Sequence, residues 1–235
     1  MLIDIASHGI MTEGISNEST VIDLGAHDGT FSRQMVARFG CKVVAVDPSA
    51  EHCDRISKEA DSISVVCAAV GAASGFVNFH VCENRMSSTI CPVDGEPYVR
   101  IESVKCLTLE TILRSQNISR VDVLKVDVEG AEVSIFESVS DEMLRAIGQI
   151  TLEFHDFCGM ITSSEADAIQ ERLKRLGFRE ICLSRTNREN VLFFNPRFCR
   201  VSAVAELRAR VVTRNLLGLG RIWERRHDRR KAMQA

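Results

Sequence analysis

The chain is defined first by what it lacks. No run of about 18 apolar residues occurs, so no segment is expected to span a membrane. The opening stretch, MLIDIASHGIMTEG, has neither a basic start nor a long apolar core, and does not read as a signal peptide. No C-x-x-C pair is present: the nine cysteines, at 41, 53, 67, 82, 91, 106, 158, 182 and 199, lie at least nine residues apart, which is not zinc-finger spacing. An odd number of cysteines spread through apolar segments reads as reduced thiols, and so as a cytoplasmic protein. There is one tyrosine, Tyr98, with no lysine four residues on, which weakens a Tyr–Lys catalytic pair. No internal repeat is visible.

What is present is ordinary globular material: 235 residues, 45% hydrophobic and 26% charged, enough for one domain with a substantial core. Charge is unevenly placed. The net charge of −3 divides into −10 over residues 1–199 and +7 over residues 200–235. A body that acidic is a poor nonspecific nucleic-acid binder, and no nucleic-acid partner is expected.

The order of apolar runs and breakers gives the organisation. After a mixed lead segment, residues 1–19, expected as a turn or helix, strands are predicted at 21–24, 42–46 and 63–67. Helices at 30–39, ended by Gly40, and at 50–60, capped by Ser49, separate them. Further strands are expected at 76–81, 99–106, 121–126, 150–154, 178–183 and 191–194. Helices are expected at 109–114, capped by Thr108, after Glu129-Gly130-Ala131, and up to Leu176 from a cap at Ser163 or Ser164. Apolar runs without alternation mark a parallel sheet covered on both faces. The predicted fold is α/β: Rossmann-like, doubly wound, with a mostly parallel seven-stranded sheet and a reversed last strand. The domain is placed at residues 20–196 and a basic, helical tail at 197–235. Ligands in such sheets sit beyond the carboxyl ends of the strands.

Two segments at those strand ends carry chemistry. The first is D-L-G-A-H-D-G, residues 23–29. Gly25 and Gly29 permit a tight strand-to-helix turn and close backbone approach to a ligand. Asp47 ends the next strand, where a carboxylate can accept hydrogen bonds from both ribose hydroxyls. A dinucleotide fingerprint, G-x-G-x-x-G, would need glycine where His27 stands, and Asp23 and Asp28 would repel a pyrophosphate. S-adenosylmethionine (SAM) has no phosphate and carries an ammonium and a sulfonium, so an acidic rim suits it better. Asp28 is equally readable as a helix cap, and Asp47-Pro48 as a turn.

The second segment is K-V-D-V-E-G-A-E, residues 125–132. Four charges at a strand end are costly to bury unpaired. Alternation puts Lys125 and Asp127 on one side of the strand, with Asp127 over the mouth of the sheet. Glu132, opening a helix, is explained by the helix dipole alone.

LKVDVEGAE together with VIDLGAHDG resembles the FkbM-type SAM-dependent methyltransferases, and Leu152-Glu153-Phe154-His155 and Thr108-Leu109-Glu110 extend the resemblance over roughly residues 19–196. Where the family more usually has Asn in the glycine turn, this chain has His27. The resemblance implies methyl transfer from SAM to an oxygen of a sugar, glycolipid or polyketide-type small molecule. It also implies roles. Asp23, Gly25 and Gly29 would hold the methionine end and Asp47 the ribose, with Ala68 and Ala69 beside the adenine, and His27 would belong to the cofactor-binding turn through its backbone. Asp127, Glu129 and His155 would face the methyl group and the acceptor.

An alcohol acceptor loses a proton, so a base helps. His155 is the natural candidate because an ordinary imidazole titrates near ~6.5; Asp127 is the alternative if burial raises its pKa. Asp127, Glu153, His155 and Asp156 have ligand types suited to a hard divalent ion, but their spacing matches no metal motif and no metal is expected. Ser87, Ser88 and Thr89 could touch a ligand or simply form a turn, and Arg85 and Arg100 could meet an anionic acceptor or sit on a solvated face. In the tail, Val204, Leu207, Val211 and Leu216 have near-helical spacing, and Trp223 stands among arginines. That composition allows peripheral contact with an anionic membrane, or a docking or dimerisation helix with a frayed charged end. The rival functional classes are a nicotinamide-dependent oxidoreductase and a non-catalytic SAM-binding module.

Overall fold

The computed structural model describes residues 1–213 apart from 60–61, 84–87, 94 and 185–189. Its centre is a seven-stranded sheet. Strands β3 (Thr20–Leu24), β4 (Lys42–Asp47) and β5 (Ile63–Cys67) alternate with helices α1 (Thr30–Phe39) and α2 (Ala50–Glu59). The chain then leaves the sheet to form a second, three-stranded one from β6 (Ala69–Val70), β7 (Gly75–Cys82) and β8 (Tyr98–Leu107). It returns through α3 (Leu109–Ser115) to β9 (Val121–Val126), α4 (Glu132–Ser138), α5 (Asp141–Arg145) and β10 (Ile147–Leu152). Helix α6 (Ser163–Arg175) and strands β11 (Arg179–Cys182) and β12 (Val191–Phe194) complete the sheet.

The strand order is β11-β12-β10-β9-β3-β4-β5. Strands β5, β4, β3, β9 and β10 run parallel, while β12 lies antiparallel between β10 and β11. This is the expected Rossmann-like sheet with a reversed last strand. Order reverses where β3 neighbours β9, and a ligand cleft belongs at that switch.

Two-residue periodicity divides the core. Ile22, Leu24, Val44, Val46, Leu124 and Val126 pack into the larger cluster with α3, α4 and α6. Their neighbours Val21, Val43, Ala45 and Val123 pack on the opposite face with α1, α2 and the N-terminal strands. Both clusters are buried, which is why these strands read as continuous apolar runs.

Local sequence sets the ends of most elements. Gly40, with φ 67°, closes α1 by donating its N–H to Val36 O. Thr108 caps α3 through its side chain. Helix α6 differs from expectation: Thr162 is the cap, in a reciprocal capping box with Glu165, so Ser163 lies inside the helix.

The larger difference is at the N-terminus. Residues expected as a turn or helix form an antiparallel hairpin of β1 (Leu2–Ile5) and β2 (His8–Met11), turned at Ala6 and Ser7, both with positive φ. Ile3, Ile5 and Ile10 join the α1 face of the core. With four-residue strands the apolar pattern is too short to distinguish from a helix turn. At the other end, α7 (Ala203–Arg208) and a following turn to Thr213 expose Val204, Leu207 and Val211, while Ala209 is buried. Leu216 and Trp223 lie outside the described residues. No helix among the described residues is long and apolar enough to cross a membrane. All nine cysteines are free thiols; five are buried, and Cys67 and Cys158 are exposed.

Candidate active site

A cleft of about 340 Å³ opens at the carboxyl ends of β3, β4, β5 and β9. One wall carries Gly25, His27, Asp47, Ala68 and Ala69; the other carries Asp127, Val128, Glu129 and Glu153. Val70 and Phe79 of the added sheet, with Ser88, Thr89 and Ile90, line it from the side. Ser87 and Arg85 lie outside the described residues, and Arg100 pairs with Glu102 on β8. No lysine or arginine is among the described residues lining the cleft.

The glycine turn is built by the backbone. Gly25 (φ 76°) and Ala26 both donate their N–H to Val46 O at 3.0 Å. His27 follows with φ 50°, a left-handed conformation in which Asn, Asp and His are enriched among non-glycine residues. Its N–H donates to Asp47 Oδ2 at 2.8 Å. The other oxygen of Asp47 accepts from Ser49 N–H at 2.9 Å and from His52 Nδ1 at 3.0 Å. Asp47 is therefore a fixed carboxylate, and Ala68 N–H reaches its carbonyl at 3.0 Å. Asp28 accepts from Thr30 N–H at 2.9 Å and closes the entry to α1.

Two expected cofactor residues do not line the cleft. Asp23 is fully buried beneath the turn, where Ser32 Oγ donates to it at 2.6 Å and Lys125 Nζ lies 3.1 Å away. Gly29 faces α2: a Cβ there would stand 2.8 Å from Ile56.

On the opposite wall, periodicity and register bring charges together. Asp23 and Lys125 are direct partners across β3 and β9, and Asp127 follows Lys125 on the same side. Lys125 Nζ lies 3.5 Å from Asp127 and donates to the Gly25 carbonyl at 2.7 Å. Burial alone would lower its pKa, but Asp23 and Asp127 outweigh that and hold the ammonium above its ordinary value. Asp127 shows the converse. Burial pushes it up, yet Lys125 and then His8 hold its carboxyl well below the usual range. The raised pKa that would make Asp127 a base is not found, because the neighbouring ammonium decides the sign.

Glu129 and Gly130 both have positive φ, at 50° and 96°, so the chain doubles back after β9. Thr89 Oγ1 donates to the Glu129 carbonyl and ties the added sheet to this turn. His155, 3% exposed at its side chain, sits behind Glu129. Its Nδ1 donates to Glu132 Oε1 at 2.7 Å and its Nε2 faces Glu129 Oε2 at 3.3 Å. Burial lowers its pKa, but the bonds to Glu129 and Glu132 prevail and lift it to about 11. At neutral pH the ring is an imidazolium without a lone pair. The expectation of a resting general base is corrected by those two carboxylates.

Sequence reasoning missed three partners. Glu132 is fully buried and serves His155, which the dipole argument did not reveal. His8, assigned no role, lies 3.5 Å from Asp127. His52 holds Asp47. Only the helical spacing of Glu132 from the strand end could have flagged one of them. His8, Asp127 and Glu153, and separately Asp127, Glu129 and His155, bring possible metal-ligand atoms within 4.8 Å of one another. Asp156, the fourth member of the expected oxygen–nitrogen set, is in neither group and accepts from Ser163.

Comparison with known proteins follows this geometry. A segment of the synthetase of the antimetabolite AMB, AmbE, from Pseudomonas aeruginosa is 31% identical over 105 residues, 42% of this chain. The match spans only 5% of that much longer relative. Among solved structures, the fibrillarin pre-rRNA processing protein of Methanococcus jannaschii overlays with a TM-score of 0.45 at 14% identity, covering 82% of this chain and 80% of that one. A precorrin-6y C5,15-methyltransferase from Geobacter metallireducens gives 0.43 at 10% identity, over 77% and 82%. The family model of the methyltransferase FkbM domain matches residues 23–180, from Asp23 in β3 to the penultimate strand, and the chain belongs to that family.

Proposed function

We propose that the chain transfers the methyl group of SAM to a hydroxyl of a small molecule of the sugar, glycolipid or polyketide type, with residues 20–196 as the working domain. The observation that carries this reading is the pairing of two walls in one cleft. A backbone cradle with a fixed carboxylate, Gly25–His27 and Asp47, faces Asp127 and Glu129. The donor set fits the cofactor: a carboxylate for the ribose, small residues Ala68 and Ala69 for a flat base, acidic groups for cationic centres, and no basic side chain of the kind a pyrophosphate requires among the described lining residues.

When bound, SAM would supply an electrophilic methyl for the acceptor oxygen, with its sulfur as the leaving group, released as the neutral thioether S-adenosylhomocysteine. The chain supplies alignment, which can recover on the order of 7–11 kcal/mol of such a barrier. Gly25 brings backbone against the ligand, and Asp47 fixes its orientation. Asp127 accepts a hydrogen bond from the acceptor hydroxyl and orients it, and Glu129 takes its proton. A carboxylate suffices there, because the proton becomes strongly acidic as the oxygen is alkylated. His155 Nε2 stands 3.3 Å from Glu129 Oε2 and orients it, and Lys125 keeps Asp127 ionised.

The test is thermal stability with SAM, S-adenosylhomocysteine and NAD(H). A ligand at 100 times its dissociation constant adds about 2.7 kcal/mol, roughly 5–10 °C for a chain of this size. A shift with the adenosyl ligands alone is expected, followed by methyl transfer to hydroxyl acceptors in a panel. A shift with NAD(H) alone overturns the reading, and adenosyl binding without turnover on any acceptor favours a binding module. We further place the protein in the cytoplasm. The exposed stripe Val204, Leu207 and Val211, ahead of a basic stretch, supports a contact with an anionic membrane or a second copy. Vesicle flotation and sedimentation velocity separate the two.

A further inference from the structure

The N-terminal hairpin lies outside residues 23–180, the segment that defines the family. It is nevertheless anchored to the core. Gln149 of β10 bonds Met11 N–H through Oε1 and Met11 carbonyl through Nε2, both at 2.9 Å. Asn190 donates to the Ser7 carbonyl. Gly9 packs so closely that a Cβ would stand 1.9 Å from Leu183. These contacts fix the residue between them, His8, whose side chain is 3% exposed and stands edge-on to Phe31 at 5.7 Å between centroids.

Its two ring nitrogens face different surroundings. Nε2 lies 3.5 Å from Asp127 Oδ2, whereas Nδ1 is buried with no hydrogen-bond partner among the described residues. A buried N–H without an acceptor costs more than a buried lone pair without a donor, so the proton belongs on Nε2, which faces a carboxylate. That tautomer makes His8 a donor to Asp127. It also argues against Nε2 as a metal ligand, since metal binding there would move the proton to the unpartnered Nδ1.

We propose that His8 is a positioning residue for the active site: by donating Nε2–H to Asp127 Oδ2 it fixes the carboxylate that faces the bound cofactor and acceptor. This rests on the reading of Asp127 under the proposed function. His8 Nε2 and Lys125 Nζ each lie 3.5 Å from the same oxygen, Oδ2, and Oδ1 is left 3.8 Å from His155 Nε2. A long contact of this kind tightens when the site fills. The hairpin thereby becomes part of the working site.

Two measurements test this. In the wild-type protein, ring-nitrogen NMR at pH 7 is expected to find Nε2 protonated and Nδ1 bare; the opposite tautomer overturns the proposal. S-adenosylhomocysteine affinity is then measured for His8→Leu, His8→Gln, Asp127→Asn and the His8→Leu/Asp127→Asn pair. His8→Leu should weaken binding by about 10-fold, as the loss of a bond to a charged group does. His8→Gln, which keeps a donor, should stay within about threefold. In the Asp127→Asn background His8→Leu should change affinity by less than about twofold, because the two residues act as one unit. Equal losses for Leu and Gln, or additive losses in the pair, would show that His8 only fills space and would sink the proposal. Should His8→Leu fail to fold, the tautomer and the glutamine variant decide. If the wild-type protein binds no adenosyl ligand, the proposed function falls, and the tautomer still decides whether His8 donates to Asp127.

Discussion

A Cβ on Gly25 would stand 1.7 Å from the carbonyl oxygen of Asp127. The glycine turn after β3 and the acidic turn after β9 therefore touch backbone to backbone, and the cleft is the gap that opens beside this contact. The sequence motifs at 23–29 and 125–132 are two halves of one object.

Gly25→Ala is consequently expected to damage both stability and binding. Its φ of 76° alone costs a residue with a Cβ about 1–2 kcal/mol, and the clash with Asp127 adds to that. A lowered melting temperature together with loss of the S-adenosylhomocysteine-induced shift is the expected result. An unchanged shift would mean that the cofactor does not use this turn.

Lys125→Met should destabilise the fold more than a surface substitution does. It leaves Asp23, fully buried, with Ser32 as its remaining side-chain partner among the described residues, and breaking a buried pair costs about 3–5 kcal/mol. Urea unfolding measures this. A change under ~1 kcal/mol, the range of an exposed pair, would refute the buried-pair account.

Asp47→Ala removes the acceptor for two backbone N–H groups and for His52. If Asp47 also takes the ribose, S-adenosylhomocysteine affinity should fall by about 10–100-fold, as expected for bonds to a charged group. Titration calorimetry reads the loss. Affinity within about twofold of wild type would reduce Asp47 to a turn residue.

The pH dependence of stability should carry the mark of His155. Its folded pKa, about 11, exceeds the ordinary imidazole value, so the folded state holds the proton more tightly than the unfolded chain. The stabilisation is fully present below about pH 6.5 and is lost as pH rises towards 11. His155→Gln should therefore cost most near pH 6 and progressively less at pH 8 and 10 in urea unfolding. A penalty that grows with pH would contradict a charged ring between Glu129 and Glu132.

Much of this was legible in the sequence, for identifiable reasons. Apolar runs at 21–24, 42–46, 63–67 and 121–126 are strands whose neighbours all have somewhere to be buried, so pattern alone marks a doubly covered sheet. Gly25, Asp47 and Asp127 stand at strand ends, and every strand end of a parallel sheet opens onto the ligand edge. What the one-dimensional pattern could not decide is which charges meet. Asp23 and Lys125 are 102 positions apart in the chain and become neighbours only through strand register. That register turns Asp23 from a cleft residue into a buried counter-ion. It also sets the sign of the Asp127 shift, which burial alone would have raised. His155 looked like a base because an isolated imidazole is one; Glu129 and Glu132, folded around it, make it a cation. His8 had no local signal at all, since only the docking of a four-residue strand brings it to Asp127. Sequence determined the sheet and where its ligand edge lies, because periodicity and turn chemistry are local. Tertiary structure alone decided the protonation and pairing of the groups on that edge, because electrostatic energies depend on distances the chain order does not contain.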